Sequence, residues 1–167
     1  NRSVALWTYT RMNDPRVTWG ERYIFLDQDP GAATPFKIGL PVPDGWAAYA
    51  NHGQLFVKHF DFDPEAEYPD FGLCSYETYT NPDFIELESL SPLWLIEPGE
   101  AIEHVEAWEL FQDVPKPLSE DDADRLVLPC VRRERPAVVA QAATKEAKPK
   151  RTPGRKPGRA TSKPADA

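Results

Sequence analysis

Hydrophobic and polar residues alternate most clearly between residues 68 and 110. Three alternating runs lie there, separated by turn signals at Asn81-Pro82-Asp83 and at Glu97-Pro98-Gly99-Glu100. Alternation with a period of two places successive side chains on opposite faces of a strand, and short turns join strands that run antiparallel. This stretch therefore predicts three consecutive antiparallel strands, the third at residues 101–110.

The three predicted strands carry polar side chains on shared faces. Glu77 and Tyr79 share one face of the first strand, and Glu86 and Glu88 share one face of the second. One face of the third strand holds Ile102, His104, Glu106, Trp108 and Leu110. Solvated faces usually mix Lys with Glu, but residues 68–110 contain no Lys or Arg. We therefore expect these faces to form one wall of a polar cavity.

Shorter alternating runs predict further strands upstream. They lie at residues 4–10, 17–19, 22–26, 36–40 and 54–60, and the second and third of them form a hairpin. Helical periodicity is limited to a short turn at residues 119–125. The fold class is therefore predicted to be all-β, with an antiparallel β-sandwich over residues 1–112.

The net charge of −8 conceals two oppositely charged parts. Residues 1–129 contain 8 Lys and Arg against 24 Asp and Glu, a net charge of −16, whereas residues 130–167 contain 11 against 3, a net charge of +8. We predict an acidic, proline-containing linker at residues 113–131 and a disordered basic tail at residues 132–167. Such a tail suits non-specific contact with nucleic acid or an acidic partner. A solubilising tail that folds back on the acidic body is the alternative.

Cysteine content and hydropathy exclude several classes of protein. Cys74 and Cys130 are too few for a disulfide framework and lack the spacing of a metal site. No apolar run approaches the roughly 20 residues that span a bilayer, so no membrane partner is predicted. The sequence predicts no cofactor and no metal either. Because a predicted strand begins at residue 4, we expect the chain to be the C-terminal part of a larger domain, and its compartment is left open.

Seven segments stand out within residues 1–112: WTYTRMNDPR, PFKIGLPVPDGWAAY, GQLFVKHF, YPDFG, YETYT, ELESLSPL and PGE-x3-H-x-E-x-W. Together they resemble a bacterial domain family of unknown function in the galactose mutarotase-like superfamily, to which the aldose 1-epimerases belong. The resemblance implies a β-supersandwich with a sugar bound in a polar cleft on one of its large antiparallel sheets. A supersandwich is much longer than this chain, which agrees with the expected missing N-terminal portion.

The resemblance also implies catalytic residues. In aldose epimerases the base that removes the anomeric hydroxyl proton is a Glu on a strand near the C-terminus, followed closely by Pro. Glu88, four residues before Pro92, matches this base best, and Glu86 on the same face is the alternative. Two carboxylates so placed should repel and raise the pKa of one of them. The epimerase acid is a His in mid-domain, and none of the three His residues lies in its motif: His52, His59 and His104.

Six further side chains are candidates for ligand binding: Arg16, Trp46, Lys58, Glu77, Tyr79 and His104. Lys58 lies between two Phe on one strand face, and either extends to solvent or donates to a ligand. Arg16 either braces the turn at Pro15 or contacts ligand. Trp46, in a Pro- and Gly-rich loop, either packs in the core or stacks on a sugar ring. His104 is a structural or exposed residue in the alternative interpretation.

Two functions from different classes follow. The first is a carbohydrate-binding, epimerase-like domain with a cleft lined by Glu and aromatic side chains, in which isomerase activity depends on an acid not yet located. The alternative is a non-catalytic β-sandwich interaction module with a basic tail. The two differ in whether Glu77, Glu86 and Glu88 converge in a pocket with aromatic side chains or spread over a flat, hydrated face.

Overall fold

The fold was analysed in a computed structural model, in which residues 3–133 are described. Within that range the strands are β1 (Ala5–Leu6), β2 (Val17–Trp19), β3 (Ile24–Leu26), β4 (Phe36–Leu40), β5 (Trp46–Asn51), β6 (Gln54–Phe60), β7 (Tyr76–Thr80), β8 (Ile85–Ser89) and β9 (Glu106–Gln112). All pairings among them are antiparallel, which confirms the all-β class. The sandwich arrangement stays a prediction. The predicted tail at residues 132–167 lies outside the described residues except for its first two.

A four-stranded sheet in the order β1-β4-β7-β8 forms one part of the fold. Its strands β7 and β8 are the first two predicted strands of the central stretch, and they pair through the turn after Thr80. Phe36 and Ile38 of β4 are fully buried on one face of this sheet. There they pack against Val17 of the predicted hairpin, which β2 and β3 form, so that hairpin is confirmed.

A three-stranded sheet in the order β5-β6-β9 forms the second part. The third predicted strand of the central stretch belongs here, because β9 pairs with β6 along its whole length and not with β8. It also begins later than predicted, at Glu106, so that Ile102 and His104 lie in an irregular connection. That connection, residues 90–105, carries the chain from one sheet to the other. Strand β5 was missed because Pro41, Pro43 and Gly45 indicate a loop up to Trp46.

A helical segment packs on the three-stranded sheet where a linker was predicted. It comprises α2 (Glu120–Asp122), a π-helical turn (Ala123–Val127) and α3 (Leu128–Val131). Ser119 begins it, since its hydroxyl accepts the Asp122 N–H at 3.1 Å. Val127 packs against Leu55 and Val57 of β6, which are buried. Ala123 and Val127, four residues apart, are the buried residues of this turn, and the acidic residues lie on its outer side. The high charge of the segment therefore gives no indication in the sequence that it packs on the core.

The same helical segment is clamped to the β2–β3 hairpin. The Glu120 carboxylate accepts the backbone N–H groups of Arg22 at 2.6 Å and Tyr23 at 2.9 Å. The Arg22 guanidinium binds Asp121 at 2.8 Å and also binds Asp124. Several charged hydrogen bonds therefore fix the hairpin, the helical segment and the sheet beneath it in one arrangement. In the described part of the chain, helices long and apolar enough to cross a membrane are absent.

Truncating Val127 tests whether the helical segment belongs to the folded core. Val127→Ala removes two buried methyl groups from the contact with Leu55 and Val57. We expect it to lower the free energy of unfolding by about 2 kcal/mol, measured by urea denaturation of the 167-residue chain. Leu118→Ala is the control, because Leu118 is 85% exposed. Equal stabilities of the two variants would mean that the segment contributes nothing to the core.

Candidate functional site

One face of the four-stranded sheet gathers four of the side chains predicted from the sequence. The register places Glu77 of β7 directly opposite Glu88 of β8, and Tyr79 directly opposite Glu86. On the other side of β7, Lys37 of β4 lies opposite Tyr79. These five residues define the acidic face. Because residues opposite each other in a sheet point the same way, the pairing of β4, β7 and β8 is enough to bring them together.

Lys37 lies at the centre of the acidic face and is not among the residues predicted from the sequence. Its Nζ is 2.8 Å from Glu77 Oε2 and 3.2 Å from each oxygen of Glu88. Burial alone would lower the pKa of Lys37, but the hydrogen bonds to Glu77 and Glu88 outweigh this effect and hold it above its ordinary value. The expectation of a face without basic partners is therefore wrong, since the lysine comes from a strand far earlier in the chain.

Glu77 forms the buried base of the face. The residue is 4% exposed, and no described donor reaches its second oxygen, Oε1. Burial raises the pKa of Glu77, and the neighbouring Asp70 carboxyl raises it further, whereas Lys37 acts in the opposite direction. Asp70 belongs to α1 (Pro69–Leu73), a short turn in which three consecutive residues adopt left-handed φ values between 51° and 76°. This turn brings a second acid against Glu77.

The turn at α1 approaches the sheet closely through Cys74. A Cβ atom at Gly39 of β4 would lie only 2.5 Å from the Cys74 sulfur, so a side chain at Gly39 is incompatible with this packing. Burial raises the pKa of the Cys74 thiol to about 11, which leaves it protonated at neutral pH. The cysteine therefore acts as a small apolar residue beneath the acidic face.

Glu86 and Glu88 form the accessible edge of the face. The Glu86 residue is exposed, and the Glu88 side chain is 33% exposed. Partial loss of hydration raises the pKa of Glu86, and a hydrogen bond with the Glu88 carboxyl together with its charge raises it further. The sequence predicts that repulsion raises the pKa of one of these two carboxylates, and in the structure this carboxylate is Glu86. Exposure thus increases from Glu77 through Glu88 to Glu86.

Aromatic side chains border the acidic face on the side of β1. The ring of Trp7 lies 4.8 Å from Lys37 Nζ, within the range of a cation–π contact. Tyr9 is 40% exposed, and its loss of hydration raises its pKa, which leaves its hydroxyl a hydrogen-bond donor at neutral pH. The sequence predicts a strand at residues 4–10, whereas β1 ends at Leu6, and no sequence pattern joins Trp7 and Tyr9 to Glu88.

Lys58 and His104 lie in a second polar cluster, apart from the acidic face. Lys58 is buried, and its Nζ donates to the Leu87 carbonyl at 2.7 Å and to Glu106 Oε1 at 2.9 Å. The bond to Leu87 ties the three-stranded sheet to strand β8, and the bond to Glu106 joins β6 to β9 within that sheet, so this lysine neither extends to solvent nor faces Glu88. Its contacts favour a structural role.

The second cluster also contains a serine and a histidine, but their geometry does not suit nucleophilic catalysis. The Ser89 hydroxyl donates to Glu106 and lies 2.9 Å from His104 Nε2. That same nitrogen is 3.6 Å from Glu106 Oε1. A catalytic relay requires the serine and the carboxylate to bind opposite nitrogens of the imidazole. The three residues therefore form a local hydrogen-bonded group at the junction of the two sheets.

The remaining candidates, Arg16 and Trp46, lie elsewhere. Arg16 binds Asp14 through two hydrogen bonds of 2.9 Å and donates to the Thr34 carbonyl at 2.8 Å. It braces the turn, which is one of the two roles considered for it. Trp46 is half-buried at the start of β5, where it packs 6.1 Å from the Tyr23 ring. In residues 3–133, no group of three or more His, Cys, Asp or Glu side chains is arranged to hold a metal ion.

Comparisons with known proteins give no assignment. The chain matches no protein-family model, no curated protein and no solved structure.

The raised pKa of Glu86 gives a pH-dependent prediction. A carboxyl whose pKa in the folded chain lies above its ordinary value of 4.5 contributes stability below that pH, and loses it as the pH rises through the folded value. Glu86→Gln cannot ionise. We therefore expect its melting temperature to exceed that of the parent at pH 7 and to equal it at about pH 3.5, well below that ordinary value. Thermal unfolding at both values measures the difference.

Glu103→Gln is the matched control, because it makes the same change in the exposed connection before β9. It reports the general effect of removing one negative charge from an acidic protein. The local effect is the difference between the two variants at pH 7. A lower melting temperature for Glu86→Gln than for Glu103→Gln at that pH would contradict the repulsion.

Proposed function

We propose that the acidic face binds a saccharide. The observation that carries this proposal is the Lys37 ammonium held between the carboxylates of Glu77 and Glu88, with an exposed edge and aromatic neighbours. Carboxylates accept hydrogen bonds from sugar hydroxyls, and an ammonium donates to hydroxyl oxygens. The ion pairs fix both kinds of group before a ligand arrives, which reduces the ordering that binding requires.

The aromatic neighbours support a sugar over other polar ligands. A sugar ring has apolar C–H faces as well as hydroxyls, and exposed aromatic rings cover such faces. Tyr9 and Tyr79 offer rings together with hydroxyl groups beside Glu86 and Glu88. A ligand lying along the exposed edge would contact carboxylates on one side and these rings on the other.

The proposal includes the predicted architecture. We infer that the antiparallel sheets belong to a galactose mutarotase-like β-sandwich, in which a sugar binds on the polar face of a sheet. The support is the position of Glu77, Glu86 and Glu88 on one face of an antiparallel sheet whose other face packs against the core. The inference of this superfamily rests also on the seven segments of residues 1–112 that resemble it.

The geometry favours binding over anomer interconversion. That reaction requires a base at the anomeric hydroxyl and an acid at the ring oxygen. The three His residues all lie outside the acidic face: His59 contacts Glu109 on the three-stranded sheet, His104 contacts Ser89 and Glu106, and His52 lies in the turn between β5 and β6. Glu88, the predicted base, is bound by Lys37. The proposed role is therefore recognition.

A second candidate function is a protein-interaction module. Trp108 and Leu110 of β9 are 67% and 61% exposed, on an edge strand whose outer main-chain groups are unpaired in the described sheet. Exposed aromatic and aliphatic side chains beside an open strand edge are typical of docking surfaces. This patch is separate from the acidic face. The predicted contact of the basic tail with nucleic acid lies outside the described residues.

A saccharide array followed by calorimetry on the 167-residue chain tests the proposal. A bound sugar identified on the array should lose affinity in Glu88→Gln, which keeps the size of the side chain but removes its charge. Loss of one charge-assisted hydrogen bond is worth about 1.5–3 kcal/mol, or roughly a tenfold to hundredfold rise in Kd.

Glu103→Gln and Trp108→Ala serve as controls, and both should bind the sugar with parental affinity. Circular dichroism and thermal unfolding of Glu88→Gln establish that the sheet is intact. Absence of saccharide binding, or equal affinity in the parent and Glu88→Gln, would overturn the proposal. Loss of binding only in Trp108→Ala would instead favour the β9 surface.

A further inference from the structure

A large cavity lies on the opposite side of the four-stranded sheet from the acidic face. Its volume is about 1030 Å³, and it is bounded by that sheet, by β5 and by the β2–β3 hairpin. Ile38, Leu40 and Leu87 line it from the sheet, and Trp46 lines it from β5. We call this space the β5 cavity.

The sequence of β5 accounts for the cavity. This strand reads Trp-Ala-Ala-Tyr-Ala-Asn, and Ala47, Ala48 and Ala50 all line the space. Strands usually carry β-branched or aromatic residues, because these fill the space above a pleated surface. Ala48 and Ala50 lie on one face of the strand and Ala47 on the other, and their small side chains leave space at the edge of β5. The cavity is thus a property of the strand composition and not of a displaced loop.

A volume of this size is not a packing defect. Protein interiors are packed as densely as organic crystals, with few voids larger than a water molecule. Sites for small molecules typically measure about 300–1,000 Å³ and are lined mainly by apolar and aromatic side chains. The β5 cavity lies at the upper end of this range and has the same kind of lining. Its dimensions and chemistry therefore suit an apolar ligand.

Charged side chains at the border exclude an anionic ligand. Arg22 binds three acids of the α2 region, and Lys116 binds Asp27 at 2.6 Å. Both cations are therefore neutralised by the protein. Asp44 at the same border is exposed and carries further negative charge. Among residues 3–133, the Lys and Arg side chains that line the cavity are both paired with acids, so a fatty-acid carboxylate or phosphate would meet the charge of Asp44 there without an unpaired Lys or Arg.

Aromatic rings in the lining indicate the shape of the ligand. Trp46 and Tyr23 lie side by side with tilted rings 6.1 Å apart, and both line the space. Tyr76 adds a third ring from β7. Rings at such angles offer edge and face contacts to another aromatic ring. From these observations we propose that the β5 cavity binds a neutral, largely aromatic small molecule, independently of any saccharide on the acidic face.

The neutral fluorescent probe N-phenyl-1-naphthylamine tests this site in the 167-residue chain. We expect saturable binding with one probe per chain, and weaker binding of the anionic probe 1-anilinonaphthalene-8-sulfonate. The probe should also raise the melting temperature, because it binds only the folded chain. Absence of saturable binding would overturn the proposal, as would tighter binding of the anionic probe.

Cavity-filling variants localise the binding. The double variant Ala48→Leu, Ala50→Leu should raise the Kd for the probe at least tenfold, and because both alanines also contact the cluster of Leu55, Val57 and Val127, circular dichroism must show that its sheets are intact. The milder Ala48→Val, expected to weaken binding severalfold, serves if the double variant does not fold. Ala101→Leu, in the exposed connection before β9, is the control and should bind as the parent does.

Two further outcomes would overturn the proposal. Parental affinity in the filled variants would place the probe elsewhere, such as on the exposed Trp108 patch. Sedimentation that shows a dimer dissociated by the probe would assign the cavity to a second copy of the chain. Saccharide affinity measured on the same variants should not change, which keeps this test separate from that of the acidic face.

Discussion

The ammonium group of Lys37 is the interaction on which the acidic face depends. Glu77 and Glu88 lie directly opposite each other on adjacent strands, where like charges destabilise a sheet. Lys37 lies within 3.2 Å of both carboxylates and makes their proximity favourable. The Glu86 carboxyl takes no part in these ion pairs, so partial loss of hydration and the charge of Glu88 raise its pKa. One cation thus holds the charged groups in the geometry that a polar ligand would meet.

The two faces of the four-stranded sheet have different chemistry because residues alternate along its strands. On β7, Glu77 and Tyr79 point to the acidic face, whereas Tyr76 and Thr78 border the β5 cavity. The alanines of β5 leave that cavity open, and the clamp between Arg22 and the helical segment holds its other walls. A single sheet therefore supports two separate proposed sites, one for a polyhydroxylated ligand and one for an apolar ligand.

Several polar residues that attract attention in the sequence are instead occupied by the fold. Lys58 joins the three-stranded sheet to the Leu87 carbonyl of β8 and binds Glu106 within its own sheet, and Arg16 closes a turn onto Asp14. His104 lies in the connection between sheets beside Ser89. In each case nearby protein groups take up most of the charge or hydrogen-bonding capacity, although Nη1 of Arg16 has no hydrogen-bond partner among the described residues. Residue type alone could not distinguish these roles from ligand binding.

The sequence by itself determined the strand class, the hairpin and the shared face of Glu77, Tyr79, Glu86 and Glu88. These features are local, because the period of two and a short turn fix them within about 15 residues. Only the tertiary structure decided that β9 pairs with β6 and that the helical turn predicted at residues 119–125 extends to Val131 and packs on the sheet. It alone also brought Lys37 to Glu77 and Glu88, across 40 and 51 residues of chain. Such contacts depend on which strands pair, and alternation along one strand carries no information about its neighbour.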